Sequence, residues 1–226
     1  MPEVPEVTTY PHTLADPRVA TALADMFDAA ARDEQAESRP PEEPAALAAL
    51  TAQQLADAAQ EIYMPVSAEG GRLLYNLVRA ARPHTVVEFG TSYGISTLHL
   101  AAAVRDNGTG RVVTTEMSRT KADAARRTFA ETGLADAVTL LEGDALETLA
   151  ALEGPVDFLF LDGWKDLCLP VLRLLEPRLA PGTLVVADDV VLPNLGPYLE
   201  YVRDTANGYH SVTFPVEDGM EISCRL

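Results

Sequence analysis

The sequence predicts an α/β fold, in which a doubly wound, mostly parallel sheet ends in an antiparallel hairpin and is preceded by N-terminal helices. From residue 72 onward, short apolar runs alternate with amphipathic stretches. The apolar runs are continuous Val, Leu and Phe rather than apolar–polar alternations, which is typical of parallel strands covered by helices on both faces. Residues 209–226 change to two strand-like runs around a Glu-Asp-Gly turn, which predicts the hairpin.

The order of the elements follows from the spacing of the apolar residues. A helix is predicted in residues 72–81, and five strands separated by helices come after it. The predicted strands are 85–89, 111–116, 137–143, 156–162 and 183–189, and the helices between them are 95–106, 119–133, 145–154 and 169–182. The stretch that follows Asp189 is predicted to be a short loop.

The first 62 residues differ from the rest and are predicted to be a helical appendage to a domain in residues 63–226. Asp16 and Pro17 are typical of a helix start. One face of this helix carries the apolar residues Val19, Leu23, Met26 and Phe27. "RPPEEP" then separates it from a second helix predicted in residues 44–63. These helices could cap a pocket or contact a second copy of the chain in a homodimer, and the sequence leaves both open.

Composition excludes several classes of function. The net charge is −17 and no Lys/Arg-rich run occurs, whereas a nucleic-acid partner requires a basic face. No apolar run approaches the roughly 20 residues of a membrane span, and the N-terminus does not resemble a signal peptide. Cys168 and Cys224 match no disulfide or zinc framework. We therefore expect a cytoplasmic protein whose partner is a small molecule, without a nucleic acid or a membrane.

Acidic residues follow almost every predicted strand. They are Glu88, Glu116, Asp144, Asp162, Asp188 and Asp189. Ligands of open parallel sheets bind outside the carboxyl ends of the strands. The sequence therefore predicts a binding site at that edge.

The stretch "GTSYG", residues 90–94, fits two patterns. It matches the G-x-S-x-G turn of serine hydrolases, and Asp188 and His210 follow Ser92 in the required order. No HGGG-like segment precedes it, however, and His210 lies in an alternating strand, where a surface or packing role is the simpler interpretation.

The second pattern is a cofactor loop. Gly90 and Gly94 allow a tight turn and close approach to a ligand, and the helix that follows points free N–H groups at it. Ser96 adds a hydroxyl, and Glu116 ends the next strand, where an acid accepts hydrogen bonds from ribose hydroxyls. The loop and Glu116 together favour a nucleotide-like cofactor such as NAD, FAD or S-adenosylmethionine.

A metal site is one of two interpretations of Asp162, Asp188 and Asp189. These residues end two strands of the predicted sheet, and adjacent strand ends lie about 5 Å apart. Carboxylates that converge there repel one another unless a hard cation such as Mg²⁺ lies between them. The alternative is that Asp162 or Asp189 caps the next helix or turn, and spacing alone does not decide.

Several motifs resemble the cation-dependent O-methyltransferases, the family of catechol O-methyltransferase and the caffeoyl-ester enzymes. "LDGWKD" and "GTLVVADDVVLP" are similar to the family's metal-site segments, and "VVEFGTSYGIS" is similar to its glycine loop. "MPVSAEGGRLL" and "VEDGMEIS" resemble the segments before the loop and at the closing hairpin. The resemblance spans roughly residues 64–226 and implies the Rossmann-like sheet of class I methyltransferases.

The resemblance implies S-adenosylmethionine and Mg²⁺, or another divalent cation, as cofactors. The implied cofactor-binding residues are Val66, Glu88, Gly90, Thr91, Ser96, Glu116, Met117, Asp144, Ala145, Asp162 and Trp164. The implied metal ligands are Asp162, Asp188 and Asp189, and Lys165 is the implied catalytic base. A catechol hydroxyl that chelates the cation becomes more acidic, Lys165 takes its proton, and the oxyanion attacks the sulfonium methyl.

Three positions depart from the family pattern. Asp189 stands where the family usually has Asn, and Gly163 stands where it has a His near adenine. "SVTF" offers no carboxylate where the animal enzyme has an acid that contacts the second hydroxyl. The resemblance implies an aromatic vicinal diol as substrate, and the missing acid keeps a sugar, macrolide or other natural-product hydroxyl as the alternative. A non-catalytic cofactor-binding protein is a third hypothesis, which Asp162, Lys165 and Asp188 disfavour.

Overall fold

A single seven-stranded sheet forms the centre of the protein. The computed structural model describes residues 11–36 and 51–226. The strands are β1 (Thr85–Phe89), β2 (Arg111–Glu116), β3 (Val138–Glu142), β4 (Val156–Leu161), β5 (Leu179–Ala187), β6 (Tyr209–Phe214) and β7 (Met220–Arg225). Their order is β3-β2-β1-β4-β5-β7-β6. Strands β1 to β5 pair in parallel, and β7 pairs antiparallel with both β5 and β6, so the predicted sheet and hairpin are confirmed.

Helices cover both faces of the sheet. They are α1 (Pro17–Ala36), α2 (Ala52–Ala58), α3 (Ala68–Ala81), α4 (Ile95–Asn107), α5 (Arg119–Glu131), α6 (Ala145–Thr148), α7 (Lys165–Leu175) and α8 (Gly196–Arg203). Strand β4 shows why its sequence is apolar from Phe158 to Leu161. Phe158 and Phe160 pack into the core shared with α1, α3, α4 and α5, whereas Leu159 and Leu161 pack into the core shared with α7 and α8.

The structure corrects several predicted boundaries. The helix predicted in 145–154 ends at Thr148, and the helix predicted in 169–182 spans Lys165–Leu175 instead. The predicted loop after Asp189 contains α8. Pro197 fixes the backbone of the first turn of α8, and the side chains of Tyr198, Leu199 and Val202 are buried on one face. This face is too short to give a clear periodic signal in the sequence.

The second N-terminal helix is only partly comparable with its prediction. Within residues 51–63, the helix covers Ala52–Ala58 and begins with a capping box, in which Thr51 and Gln54 bond each other's backbone N–H groups. The predicted residues 44–50 lie outside the described part of the chain.

Helix α1 packs onto the sheet rather than standing apart. Val19, Leu23 and Met26 are buried in the same core as the sheet residues. Just before α1, the backbone N–H and the hydroxyl of Thr13 both donate to the carboxylate of Asp106 in α4. The boundary at residues 62 and 63 remains a prediction. Over the described residues, none of the helices combines the length and the apolar character that crossing a membrane requires.

Candidate active site

A cavity of about 640 Å³ lies at the carboxyl ends of the central strands, where the sequence predicts a binding site. Its walls include the loop after β1, the end of β2, the loop after β4 and Asp189 after β5. Residues 51–64, here called the cap segment, contribute to the lining through Ala56, Ala59, Ile62, Tyr63 and Met64. Three residues of the predicted appendage, Ala56, Ala59 and Ile62, thus line a pocket, and its role as a cap or as a dimer contact stays a prediction.

The loop after β1 requires glycine at two positions. Gly90 and Gly94 have φ angles of 102° and 96°, which other residues rarely adopt. A Cβ at Gly90 would lie 2.7 Å from the backbone of Asp162, and one at Gly94 would lie 2.7 Å from the ring of Phe129. The two glycines therefore let the loop pack against both the β4 end and α5.

Ser92 is not arranged as a nucleophile. Its Oγ is buried and has no hydrogen-bond partner in the part of the chain that the structure describes, and His210 is exposed on the edge strand β6. The useful group of Ser92 is its backbone N–H, which donates to Glu116 Oε2 at 2.7 Å. The G-x-S-x-G match therefore reflects spacing alone.

Glu116 is held in place at the end of β2. The backbone N–H groups of Ser92 and Ser118 donate to its two carboxylate oxygens, each at 2.7 Å. Burial raises the pKa of Glu116, while these hydrogen bonds and the charge of Lys121 oppose the rise. Lys121 also lines the cavity, and its ammonium lies 5.6 Å from the centroid of the Tyr93 ring.

Glu88, at the end of β1, is not one of the residues that line the cavity. It is fully buried, and the hydroxyls of Thr97 and Thr114 donate to its Oε2 at 2.5 Å. Among the described residues, its Oε1 has no hydrogen-bond partner. Burial raises the pKa of Glu88 to about 7, and the surrounding hydroxyl groups oppose the rise. In the described geometry this carboxylate joins the end of β1 to β2 and to the first turn of α4.

The other predicted cofactor residues also form two groups, those that line the cavity and those that do not. The cavity lining includes Val66, Gly90, Thr91, Ser96, Met117, Ala145 and Trp164. Asp144 is not part of it, because its carboxylate caps α6 by accepting the N–H of Leu146 at 2.8 Å. Trp164, the only tryptophan of the chain, lies in the wall just before α7.

Lys165 joins two of the three predicted metal ligands. Its Nζ lies 2.8 Å from Asp162 Oδ1 and 2.9 Å from Asp189 Oδ2. Burial alone would lower the pKa of Lys165, but the two carboxylates raise it well above its usual value. The two ion pairs hold Lys165 Nζ beside the predicted metal ligands, and its role as catalytic base stays a prediction.

Asp188 is the third predicted metal ligand, and unlike Asp162 and Asp189 it does not line the cavity. It is buried, and burial together with the charges of Asp162 and Asp189 raises its pKa to about 8. Within the described ranges, no group of three or more potential ligand side chains is gathered as a metal site. The chemistry of the donors nevertheless fits a hard divalent cation, because Asp162 and Asp189 present carboxylate oxygens at the same place and Asp188 is close enough for their charges to raise its pKa.

Gly163 explains one departure from the family pattern. A Cβ at this position would meet the ring of Phe89, with two ring carbons at 2.6 Å. Phe89 thus fills the space that a side chain at position 163 would require.

Sequence reasoning missed two acidic residues of the cavity, Glu217 and Asp218. They lie in the turn between β6 and β7 and line the cavity. After burial and nearer charges, the charge of Glu217 also helps to raise the pKa of Asp162. Their position follows from the topology, because an antiparallel β7 begins where the parallel β5 ends. The Glu-Asp-Gly turn was visible in the sequence, but the pairing of β7 with β5 was not.

Comparisons with known proteins identify a matching family and several relatives. A family described as "Methyltransferase domain" matches residues 87–190. Catechol O-methyltransferase B of Danio rerio is 34% identical over 181 residues, which cover 74% of this chain and 67% of that protein. Catechol O-methyltransferase of Mycobacterium tuberculosis is 36% identical over 151 residues, which cover 66% of each chain. The alignment thus spans about two thirds of the length of these relatives.

Two solved structures superpose on most of this chain. The O-methyltransferase TomG of Streptomyces achromogenes, in complex with S-adenosylmethionine and involved in tomaymycin synthesis, superposes with a TM-score of 0.66 at 26% identity. The superposition covers 89% of this chain and 98% of TomG. Cofactor-bound Rv0187 of M. tuberculosis has a TM-score of 0.68 at 27% identity and covers 93% and 97% of the two chains. The chain belongs to the S-adenosylmethionine-dependent O-methyltransferases related to catechol O-methyltransferase.

Proposed function

We propose that this O-methyltransferase transfers the methyl group of S-adenosylmethionine to a hydroxyl of an aromatic vicinal diol, with a divalent cation held by Asp162, Asp188 and Asp189. The observation that carries the proposal is the cluster of Asp162, Lys165 and Asp189 in the same cavity as Glu116. In the sheet, β2 and β5 are three strand spacings apart, or about 14 Å. One cavity therefore offers a ribose acceptor at one end and an acidic cluster at the other.

The cofactor would lie along the ends of β1, β2 and β4. Glu116 would accept hydrogen bonds from the ribose hydroxyls, because both of its oxygens are already oriented by backbone N–H groups. The adenine would lie against Trp164 and Ala145. The methionine part of the cofactor would contact the glycine loop and the start of α4, through Gly90, Thr91 and Ser96, with Val66 nearby.

The acidic cluster would receive the substrate. A divalent cation held there would chelate the diol and lower the pKa of its hydroxyls. Lys165 Nζ pairs with both Asp162 and Asp189, next to the place proposed for the substrate hydroxyl. When those carboxylates gain other partners, the ammonium loses part of its stabilisation and can release its proton to solvent. The neutral amine would then accept the proton of the neighbouring hydroxyl.

The test combines a catechol panel with control of the metal. The protein is incubated with S-adenosylmethionine and several catechols, in Mg²⁺ or in EDTA. We expect methyl transfer in Mg²⁺ and its loss in EDTA, and we expect Asp189→Asn to retain metal-dependent transfer because an amide oxygen still ligates. Lys165→Met should lower kcat by about 100-fold or more while S-adenosylhomocysteine still binds. Full activity in EDTA would exclude the metal mechanism.

A second candidate substrate is a hydroxyl of a sugar, macrolide or other natural product. It is favoured by residues 211–214, "SVTF", which offer no carboxylate in the region where the animal enzyme has its substrate-binding acid and which do not line the cavity. If cofactor binding is intact and no catechol is methylated, this candidate replaces the first.

A further inference from the structure

Lys121 is a buried lysine in the wall of the cavity. It lies in the first turn of α5, only 2% of its surface is exposed, and it lines the same cavity as Glu116. In the described part of the chain, no residue accepts a hydrogen bond from its Nζ or forms an ion pair with it. Because a buried ammonium without an acceptor destabilises the folded state, this side chain is suited to an acceptor that a ligand supplies.

Two neighbours define where this ammonium lies. Nζ of Lys121 is 5.6 Å from the centroid of the Tyr93 ring, a distance at which a cation and an aromatic face attract each other. Tyr93 directly follows Ser92, whose N–H donates to Glu116 Oε2 at 2.7 Å. The ammonium therefore lies between the glycine loop and the end of β2, on the side of the cavity where Glu116 is held.

The two lysines of the lining differ in how their charges are compensated. Lys165 forms ion pairs with Asp162 and Asp189. Burial lowers the pKa of Lys121, and the charge of Glu116 opposes this effect, but the two groups form no ion pair within the described residues. Lys121 and Glu116 are thus close enough to influence each other and still leave room for a group between them.

A group that bridges an ammonium and a carboxylate must accept one hydrogen bond and donate another. A hydroxyl does both, because its oxygen keeps its lone pairs while its proton is donated. The ring nitrogens of adenine only accept, and its amino group mainly donates. Of the parts of S-adenosylmethionine, the ribose with its two adjacent hydroxyls therefore matches this pair of charges.

We propose that Lys121 is a second ribose-binding residue, whose ammonium donates to the oxygen of a ribose hydroxyl that itself donates to Glu116. This inference rests on the part of the proposed function that places the ribose at Glu116. It does not depend on the methyl acceptor or on the metal, so it can be tested by cofactor binding alone.

The experiment is a double-mutant cycle between the lysine and the ribose hydroxyls. Calorimetry measures the Kd of S-adenosylhomocysteine and of its 2′-deoxy and 3′-deoxy forms for the wild type and for Lys121→Met. This variant keeps an unbranched apolar chain and removes the ammonium, so the Kd of S-adenosylhomocysteine should rise about tenfold or more. With at least one deoxy form, the loss caused by Lys121→Met should be smaller by about fivefold or more, because the acceptor oxygen is already absent.

A matched control removes a cation from the same helix. Arg119→Met changes a side chain that is 83% exposed and does not line the cavity, so all three ligands should bind as they do to the wild type. Thermal unfolding of the free proteins checks the fold, and Lys121→Met should unfold at the same temperature as the wild type or higher, since it removes a buried charge. If Lys121→Met does not fold, Lys121→Gln is used for the same cycle.

The outcomes separate this inference from the proposed function. Equal losses of affinity for all three ligands in the variant would overturn it, because Lys121 would then act on the site as a whole and not through a ribose oxygen. Equal affinities of the wild type for the three ligands would overturn it together with the ribose position at Glu116. Neither result bears on methyl transfer to a diol, which the catechol panel tests separately.

Discussion

At the scale of single residues, Ser92 shows how a sequence pattern can match without its chemistry. Its hydroxyl is buried and unpartnered, its φ is 47°, and only its backbone N–H contacts a site residue. The positive φ belongs to the turn that the two neighbouring glycines make possible. The residue therefore serves the loop through its backbone.

The first prediction follows from this geometry. Ser92→Ala removes only the unpartnered hydroxyl, so kcat/KM should stay within about twofold of the wild type. Steady-state kinetics and a titration with S-adenosylhomocysteine are the measurements. Lost turnover with unchanged cofactor binding would instead restore the nucleophile hypothesis.

The second prediction concerns the pair of Gly163 and Phe89. Gly163→His alone should weaken S-adenosylhomocysteine binding by about tenfold or more, because the new Cβ meets the Phe89 ring and displaces the wall beside Trp164. In the double variant Gly163→His/Phe89→Leu, affinity should recover. Phe89→Leu alone is the control, with a stability loss of about 1–2 kcal/mol from the cavity it leaves. A fully active Gly163→His variant would show that the ring moves freely.

At the scale of elements, the cap segment is joined to the cavity by aromatic and polar contacts. Tyr63 stacks on Tyr93 with ring centroids 4.0 Å apart. The hydroxyl of Tyr93 donates to the carbonyl of Gln60 at 2.8 Å, and that of Thr120 donates to the Gln60 side chain at 2.9 Å. The N–H of Tyr63 donates to Asp33 of α1 at 3.1 Å. These contacts fix the cap over the side of the cavity formed by the glycine loop and α5.

The third prediction tests this attachment. Tyr63→Ala should raise the Kd for S-adenosylhomocysteine by about three- to tenfold, because the stacked pair is lost and the cap is less well held. Tyr63→Phe keeps the stacked ring and should bind like the wild type. Calorimetry provides both values. Equal affinities for all three proteins would mean that the cap does not contribute to cofactor binding.

At the scale of the whole molecule, α1 and the sheet share one hydrophobic core. Leu23 is only 8% exposed and packs in the same cluster as the aromatic residues of β4. A separate N-terminal domain would instead have a core of its own. The shared core indicates that residues 17–36 and the sheet unfold together.

The fourth prediction is a stability measurement. Leu23→Ala should lower the free energy of unfolding by about 2–4 kcal/mol, the usual range for a buried leucine. The unfolding curve should keep a single transition. Leu226→Ala, at a residue 61% exposed, should change stability by less than about 0.5 kcal/mol. Two separate transitions would support an independent N-terminal unit.

The sequence by itself determined the type and order of the strands, the glycine loop and the acids at the strand ends. These are local properties: continuous apolar runs favour buried parallel strands, and Gly90 and Gly94 favour positive φ angles. Helix boundaries were less well determined, since short helices such as α6 and α8 depend on a cap or on burial rather than on a long periodic pattern.

Only the tertiary structure decided which of these groups meet. The pairing of β7 with β5 places Glu217 beside the acidic cluster, and the packing of Phe89 excludes a side chain at Gly163. It also placed Asp189 within 2.9 Å of Lys165, which lies 24 residues earlier in the sequence. The physical reason is common to all three. Charge and steric exclusion act through space between residues that are far apart in sequence, so no local pattern encodes them.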